Sequence, residues 1–194
     1  MKYKRDETQE TSCAILAYLM ENPDAQDTLE GIVLAHLTAC QGSLAVIETY
    51  TGGQISARLA PLPAAEAVFR RGIVARDVKE IYAALGLDGA APSKPLTTDM
   101  AECMARAARA RTGATHALSV LVALDDGADR IDLGGDICLA VATQDETVSR
   151  YSRLVGGREW VRLGATEMAL DCLRRYLQGL PIREQNDFEQ VAKG

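Results

Sequence analysis

The stretch Glu48-Thr-Tyr-Thr-Gly-Gly53 concentrates reactive groups: a carboxyl, two threonine hydroxyls and a phenol, followed by two glycines. A hydroxyl becomes a nucleophile for acyl transfer when a neighbouring base activates it. Hydroxyls such as those of Thr49 and Thr51, with free amides at a helix start, also suit an anion such as a phosphate. Gly52 and Gly53 let the backbone approach a ligand closely or take a positive φ. Strand-to-helix turns of this kind place such groups at the carboxyl edge of a sheet. The same residues also describe a tight turn followed by a capped helix, and by themselves they leave both readings open.

The surrounding segments supply the elements that position this turn. Residues 43–48 form a continuous apolar run suited to a buried strand, and residues 54–59 read as a helix. Upstream, Leu29, Ile32, Val33, His36, Leu37 and Cys40 recur at spacings of three and four, which predicts an amphipathic helix with His36 packed at the edge of its stripe. Downstream come a strand over 69–76, a helix over 78–85 stopped by Gly86, and a Pro- and Gly-bearing loop over 88–95. An alanine-rich helix follows to Thr112, with Thr97 or Asp99 as its cap and Gly113 as its stop. Strands are predicted over 116–124, 136–143 and 147–155, the last two joined as a hairpin. A long helix over 158–177 turns Val161, Ala165, Met168, Cys172 and Tyr176 to one face. The sum is an α/β three-layer sandwich, a mixed β-sheet flanked by helices, over residues 28–180. Residues 1–27, with a helix over 11–21, form an N-terminal extension, and residues 181–194 a flexible tail.

Composition narrows the function classes. Of 194 residues 47% are hydrophobic and 25% charged, the balance of a globular domain. A net charge of −6 gives no electrostatic reason to expect a nucleic-acid partner. Arg70-Arg71, Arg106, Arg109 and Arg111 are local basic exceptions, and Glu102 stands one helical turn before Arg106, as an ion pair requires. Five dispersed cysteines without a CxxC pair read as reduced thiols, and only two histidines accompany them, so a Cys/His zinc site is not expected. Asp125, Asp126, Asp129 and Asp132 lack the glycine and terminal glutamate of a calcium loop and read as a solvated hairpin turn. No metal or cofactor is therefore expected. Neither a signal-peptide pattern nor a run of ~20 apolar residues occurs, so the expected location is cytoplasmic, without a membrane partner.

The motif resembles Ala-Glu-Ser-Cys-Thr-Gly-Gly, the signature of the CinA C-terminal domain family. The surroundings agree in order: Phe69-Arg-Arg-Gly-Ile-Val-Ala75 is similar to the family's Phe-x-x-Gly-Val-Val-Ala, and Gly113-Ala-Thr-His-Ala-Leu-Ser-Val120 to Gly-Ala-Asp-Tyr-Ala-Leu-Ala-Val. Gly156-Gly-Arg158 and the helix after it resemble Pro-Gly-Asp-Arg and its helix, so the likeness spans roughly residues 28–178. The resemblance implies hydrolysis of nicotinamide mononucleotide to nicotinate mononucleotide and ammonia. It implies a serine nucleophile, a lysine after the second strand and a Gly-Ile-Ala-Gly-Pro loop.

The sequence departs from that pattern at all three places. Thr49 takes the serine position and Tyr50 the cysteine position. The lysine position falls on Ile81, with Lys79 two residues away as the remaining candidate base. The glycine loop becomes Val122-Ala-Leu-Asp-Asp126. Glu48, Thr51, Gly52, Gly53, Gly72 and Gly135 survive as candidate ligand-binding residues. Two readings follow: a non-catalytic or weakly active paralogue with a nucleotide or phosphate pocket, or an active amidohydrolase using Thr49. Self-association into a homodimer or larger even-numbered assembly is also expected, through Trp160, Leu163, Leu170 and Leu173 of the last helix.

Overall fold

The computed structural model describes residues 17, 20, 28–87, 95–127 and 130–182. The expected N-terminal helix, the tail beyond residue 182 and Asp129 lie essentially outside the described residues. The described elements are α1 (Leu29–Ala39), β1 (Leu44–Thr49), α2 (Gln54–Leu59), α3 (Ala65–Val68) and β2 (Phe69–Ala75). They continue with α4 (Val78–Ala84), α5 (Thr98–Thr112), β3 (His116–Leu124), β4 (Gly134–Ala142), β5 (Thr147–Val155) and α6 (Gly157–Leu177).

The sheet runs in the order β2-β1-β3-β4-β5. β1 pairs parallel with β2 and β3, whereas β4 pairs antiparallel with β3 and β5. This is the expected mixed sheet with its hairpin. β1 and the core of β3 are buried throughout because helices cover both faces of the sheet, so they read as unbroken apolar runs rather than alternating ones. One core gathers Leu34, Leu44, Val46, Ile55, Leu118, Leu139 and Leu170 between the sheet and α1, α2 and α6. The other gathers Ala45, Ile47, Ile81, Met104, Ala105, Leu121 and Cys138 under α4 and α5.

Local chemistry sets the helix ends. Thr28 caps α1 by accepting from Gly31 N–H, and Thr97, rather than Asp99, caps α5 by accepting from Met100 N–H. Glu102 pairs with Arg106 at 3.1 Å, as the spacing predicts, and also accepts from Ser149 Oγ. Helix α6 departs from expectation. Leu170 and Leu173 are fully buried in the protomer's own core and are not available to an interface between copies. The reason is that α6 packs against both the sheet and α1, which buries a face wider than one stripe. Trp160 and Leu163 do remain exposed, at 47% and 41%.

Asp125 and Asp132, near the β3–β4 turn, are held by arginines. Asp125 accepts from Gly134 N–H and from Arg153, which also bonds Asp136; Asp132 pairs with Arg130. Burial and the hydrogen bond to Asp136 push the Tyr151 phenol up to about 12. Among the described residues no helix is long and apolar enough to cross a membrane.

Candidate functional site

Strand order places β1 between β2 and β3, with the crossover α2–α3 on one face and α4–α5 on the other. The connections diverge at the carboxyl ends of β1 and β3, the crevice where open α/β sheets bind ligands. Thr49, the last residue of β1, stands there.

Its hydroxyl is committed to the sheet. Thr49 is fully buried; Oγ1 accepts from Val122 N–H at 2.8 Å and donates to the Val120 carbonyl at 3.3 Å. The backbone pairing of β1 with β3 ends at Glu48 and Val120, and the hydroxyl extends it by one step where β1 turns away. The only proton of the hydroxyl is thereby used, and so is the amide of Val122.

The turn itself is tight. Thr51 N–H bonds back to the Thr49 carbonyl at 2.7 Å across Tyr50, whose φ of +63° is a left-handed conformation that costs a non-glycine residue about 1–2 kcal/mol. Gly52 and Gly53, at φ +70° and +84°, supply the next left-handed positions without that cost. The Tyr50 hydroxyl donates to the Arg158 carbonyl at 3.3 Å, tying the turn to the start of α6.

Glu48 occupies the start of α2 from beneath. It is fully buried, and four donors converge on it: Thr51 Oγ1 at 2.7 Å, Ile55 N–H at 3.1 Å, Ser56 N–H at 2.9 Å and Ser56 Oγ at 2.7 Å. The anion at this helix start is therefore the protein's own carboxylate. The Thr51 hydroxyl and the second- and third-residue amides of α2, expected to face a ligand, serve Glu48 instead. Gly72 belongs to the same construction: a Cβ there would meet Ser56 Oγ at 2.4 Å, so its absence lets Ser56 reach Glu48. Gly135 lies within β4 opposite Leu124, where a Cβ would crowd the Ala123 carbonyl and Val161; it fits a packing role in the sheet.

The remaining catalytic candidates are not brought together. Ile81 is fully buried in the apolar core beneath α4. Lys79 is exposed on that helix, and no described hydrogen bond or ion pair joins its side chain, or that of Arg76, to Thr49. Val122, Ala123 and Leu124 continue β3, and Asp125 N–H bonds the Gly134 carbonyl at 2.9 Å, so the ladder absorbs this end of the segment that replaces the glycine loop.

A cleft of ≈ 380 Å³ opens above the turn, lined by Tyr50, Gly52, Val74, Ala75 and Arg76. A Cβ on Gly52 would meet nothing within 4 Å, so the space over it is open. Ser56 was not singled out from sequence as a site residue, and Arg76 enters there only as an alternative cation to Lys79 beside Thr49. A hydroxyl at the third residue of a helix with glycine as its N-cap, and a cation at the carboxyl end of a parallel strand, are the signals that mark them.

Comparison with known proteins agrees with this architecture. The CinA C-terminal domain model matches residues 26–177. A CinA-like protein of Frankia casuarinae is 38% identical over 162 residues, covering 82% of this chain and 37% of that protein. One from Solibacter usitatus is 31% identical over 156 residues, covering 79% and 38%. The chain thus spans less than two fifths of the length of these relatives. Among solved structures, a CinA superfamily protein from Klebsiella pneumoniae superposes with a TM-score of 0.67 at 20% identity, covering 78% of this chain and 96% of that one. A competence/damage inducible protein from Agrobacterium tumefaciens gives 0.64 at 22%, covering 77% and 95%. The sheet order, the motif at the end of β1 and the family match lead to one conclusion: the chain belongs to the CinA C-terminal domain family.

Proposed function

We propose that this chain is a non-catalytic or at most weakly active paralogue of the nicotinamide-nucleotide amidases, keeping a small-molecule cleft at the end of β1 and β2. The observation that carries the reading is the commitment of the Thr49 hydroxyl to Val120 and Val122. A nucleophile needs a base within hydrogen-bond reach, and Thr49 instead donates to a backbone carbonyl. General acid–base help is worth ~10²–10⁴-fold, and an apolar Ile81 at the lysine position supplies none. An oxyanion donor is worth about 3–4 kcal/mol, and the Val122 amide is spent on Thr49. Binding is less demanding, and the open space over Gly52 supports it.

Mixing the chain with a stoichiometric amount of nicotinamide mononucleotide and following the pyridine proton resonances tests this reading. The expected spectrum shows weak perturbation with the carboxamide intact. Accumulation of nicotinate mononucleotide would overturn it.

We further propose that copies of the chain self-associate. Exposure of Trp160 and Leu163 on α6 supports this, without Leu170 and Leu173. Light scattering at micromolar concentration should give an even multiple of the chain mass; a monomeric mass would contradict it.

A further inference from the structure

The strand that borders the cleft carries a local excess of positive charge. The chain is acidic, with a net charge of −6, yet residues 67–76 hold three arginines and no acid. Among the described residues Arg76 is the sole charged one lining the cleft, and no hydrogen bond or ion pair there engages its side chain. The other charged groups near the turn are occupied. Glu48 is saturated by four donors, Arg162 is held by Glu159 and Gln54, and Asp77 caps α4 through Lys79 N–H. Among the described residues no carboxylate lines the cleft to neutralise Arg76.

The same cleft is lined by an aromatic side chain held in place. Tyr50 is fixed by its left-handed backbone and by its bond to the Arg158 carbonyl, so presenting its ring to a ligand costs little further side-chain entropy. Val74, 47% exposed, adds apolar surface. The volume of ≈ 380 Å³ sits at the small end of ligand sites, sufficient for one substituted ring. A guanidinium donates two parallel hydrogen bonds to a carboxylate, which a carboxamide cannot match because half of its polar edge is a donor.

We propose that the cleft selects small aromatic or heteroaromatic acids over the corresponding amides, with the ring against Tyr50 and the carboxylate or phosphate on Arg76. The inference rests on the reading of this cleft as a binding site and adds the ligand class.

Calorimetric titration of the whole chain with benzoate, phenyl phosphate and benzamide tests it. At least one acid should bind with a Kd of order 1 mM, and benzamide about tenfold more weakly or worse. Tighter binding of benzoate assigns a carboxylate ligand; tighter binding of phenyl phosphate assigns a phosphate. Arg76 is exposed, so Arg76→Ala should leave the fold intact and reduce the acid–amide difference to about twofold or less. Arg76→Lys should retain part of the difference, because charge is kept and the fork is lost. Equal binding of acid and amide, discrimination that survives Arg76→Ala, or no binding of any of the three probes overturns the proposal. Hydrolysis of nicotinamide mononucleotide would sink the reading of the chain as non-catalytic while leaving acid selectivity standing, so the two failures are distinguishable.

Discussion

The β1–α2 turn and the β2–α4 junction start from the carboxyl ends of neighbouring strands, and they have fared differently. In the first, the polar groups around Glu48 have a function in the fold: Glu48 receives four donors, Thr51 and Ser56 supply three of them, and Gly72 leaves room for Ser56. In the second, Ile81 is fully buried in an apolar core with Ile47, Met104, Ala105 and Leu121. The contrast separates two kinds of motif residue. Glutamate and glycines at the turn hold a backbone that would otherwise carry unmet amides, so they persist whatever the chemistry. Ile81 adds its apolar side chain to the core beneath α4 and carries no group for acid–base chemistry.

The largest expected effect probes the first region. Glu48→Ala strands two buried amides and two hydroxyls, and should cost about 3 kcal/mol or more. In urea unfolding this would appear as a lower midpoint, with melting lowered by roughly 10 °C. A loss under about 1 kcal/mol would mean that water replaces the carboxylate without difficulty, and the turn would then be less dependent on Glu48 than the contacts imply.

A smaller effect is expected at Thr49. Thr49→Val keeps the shape and removes the hydroxyl, leaving Val122 N–H and the Val120 carbonyl unpaired, for about 1–3 kcal/mol. Thr49→Ser keeps both bonds and should cost less than about 1 kcal/mol. Equal losses in the two variants would show that the methyl, not the hydroxyl, matters at this position.

Sequence reasoning reached the sheet because β1 and β3 are covered on both faces and therefore appear as unbroken apolar runs. It reached the turn because positive φ at Gly52 and Gly53 demands glycine. It could not reach the spending of Thr49 on Val120 and Val122, since those partners lie 71 and 73 residues away. Nor could a single-stripe reading of α6 anticipate burial of Leu170 and Leu173, which requires knowing that α1 covers a second side of that helix.

The smallest expected effect concerns acid. Burial holds His116 below its ordinary value near 6.5, and burial together with Arg174 does the same for His36. Both are accommodated neutral. Above that value folded and unfolded chains are equally deprotonated and stability is complete; as pH falls through it, the unfolded chain takes up protons first and stability declines. His116 also bonds Thr115 Oγ1 at 2.7 Å and meets the Tyr176 ring edge-on. Denaturant midpoints between pH 8 and pH 5 should therefore fall toward acid, less steeply in His116→Gln (roughly the window set by the imidazole value). A midpoint that rises toward acid would reverse the assignment.

The central claim is that Thr49 is a structural bridge and not a nucleophile, and ammonia release tests it most directly. Wild-type chain and Thr49→Ala, each at high concentration with nicotinamide mononucleotide, should release ammonia at the same background rate, orders of magnitude below an intact amidase of the family. Sustained turnover by the wild-type chain that disappears in Thr49→Ala would contradict the account.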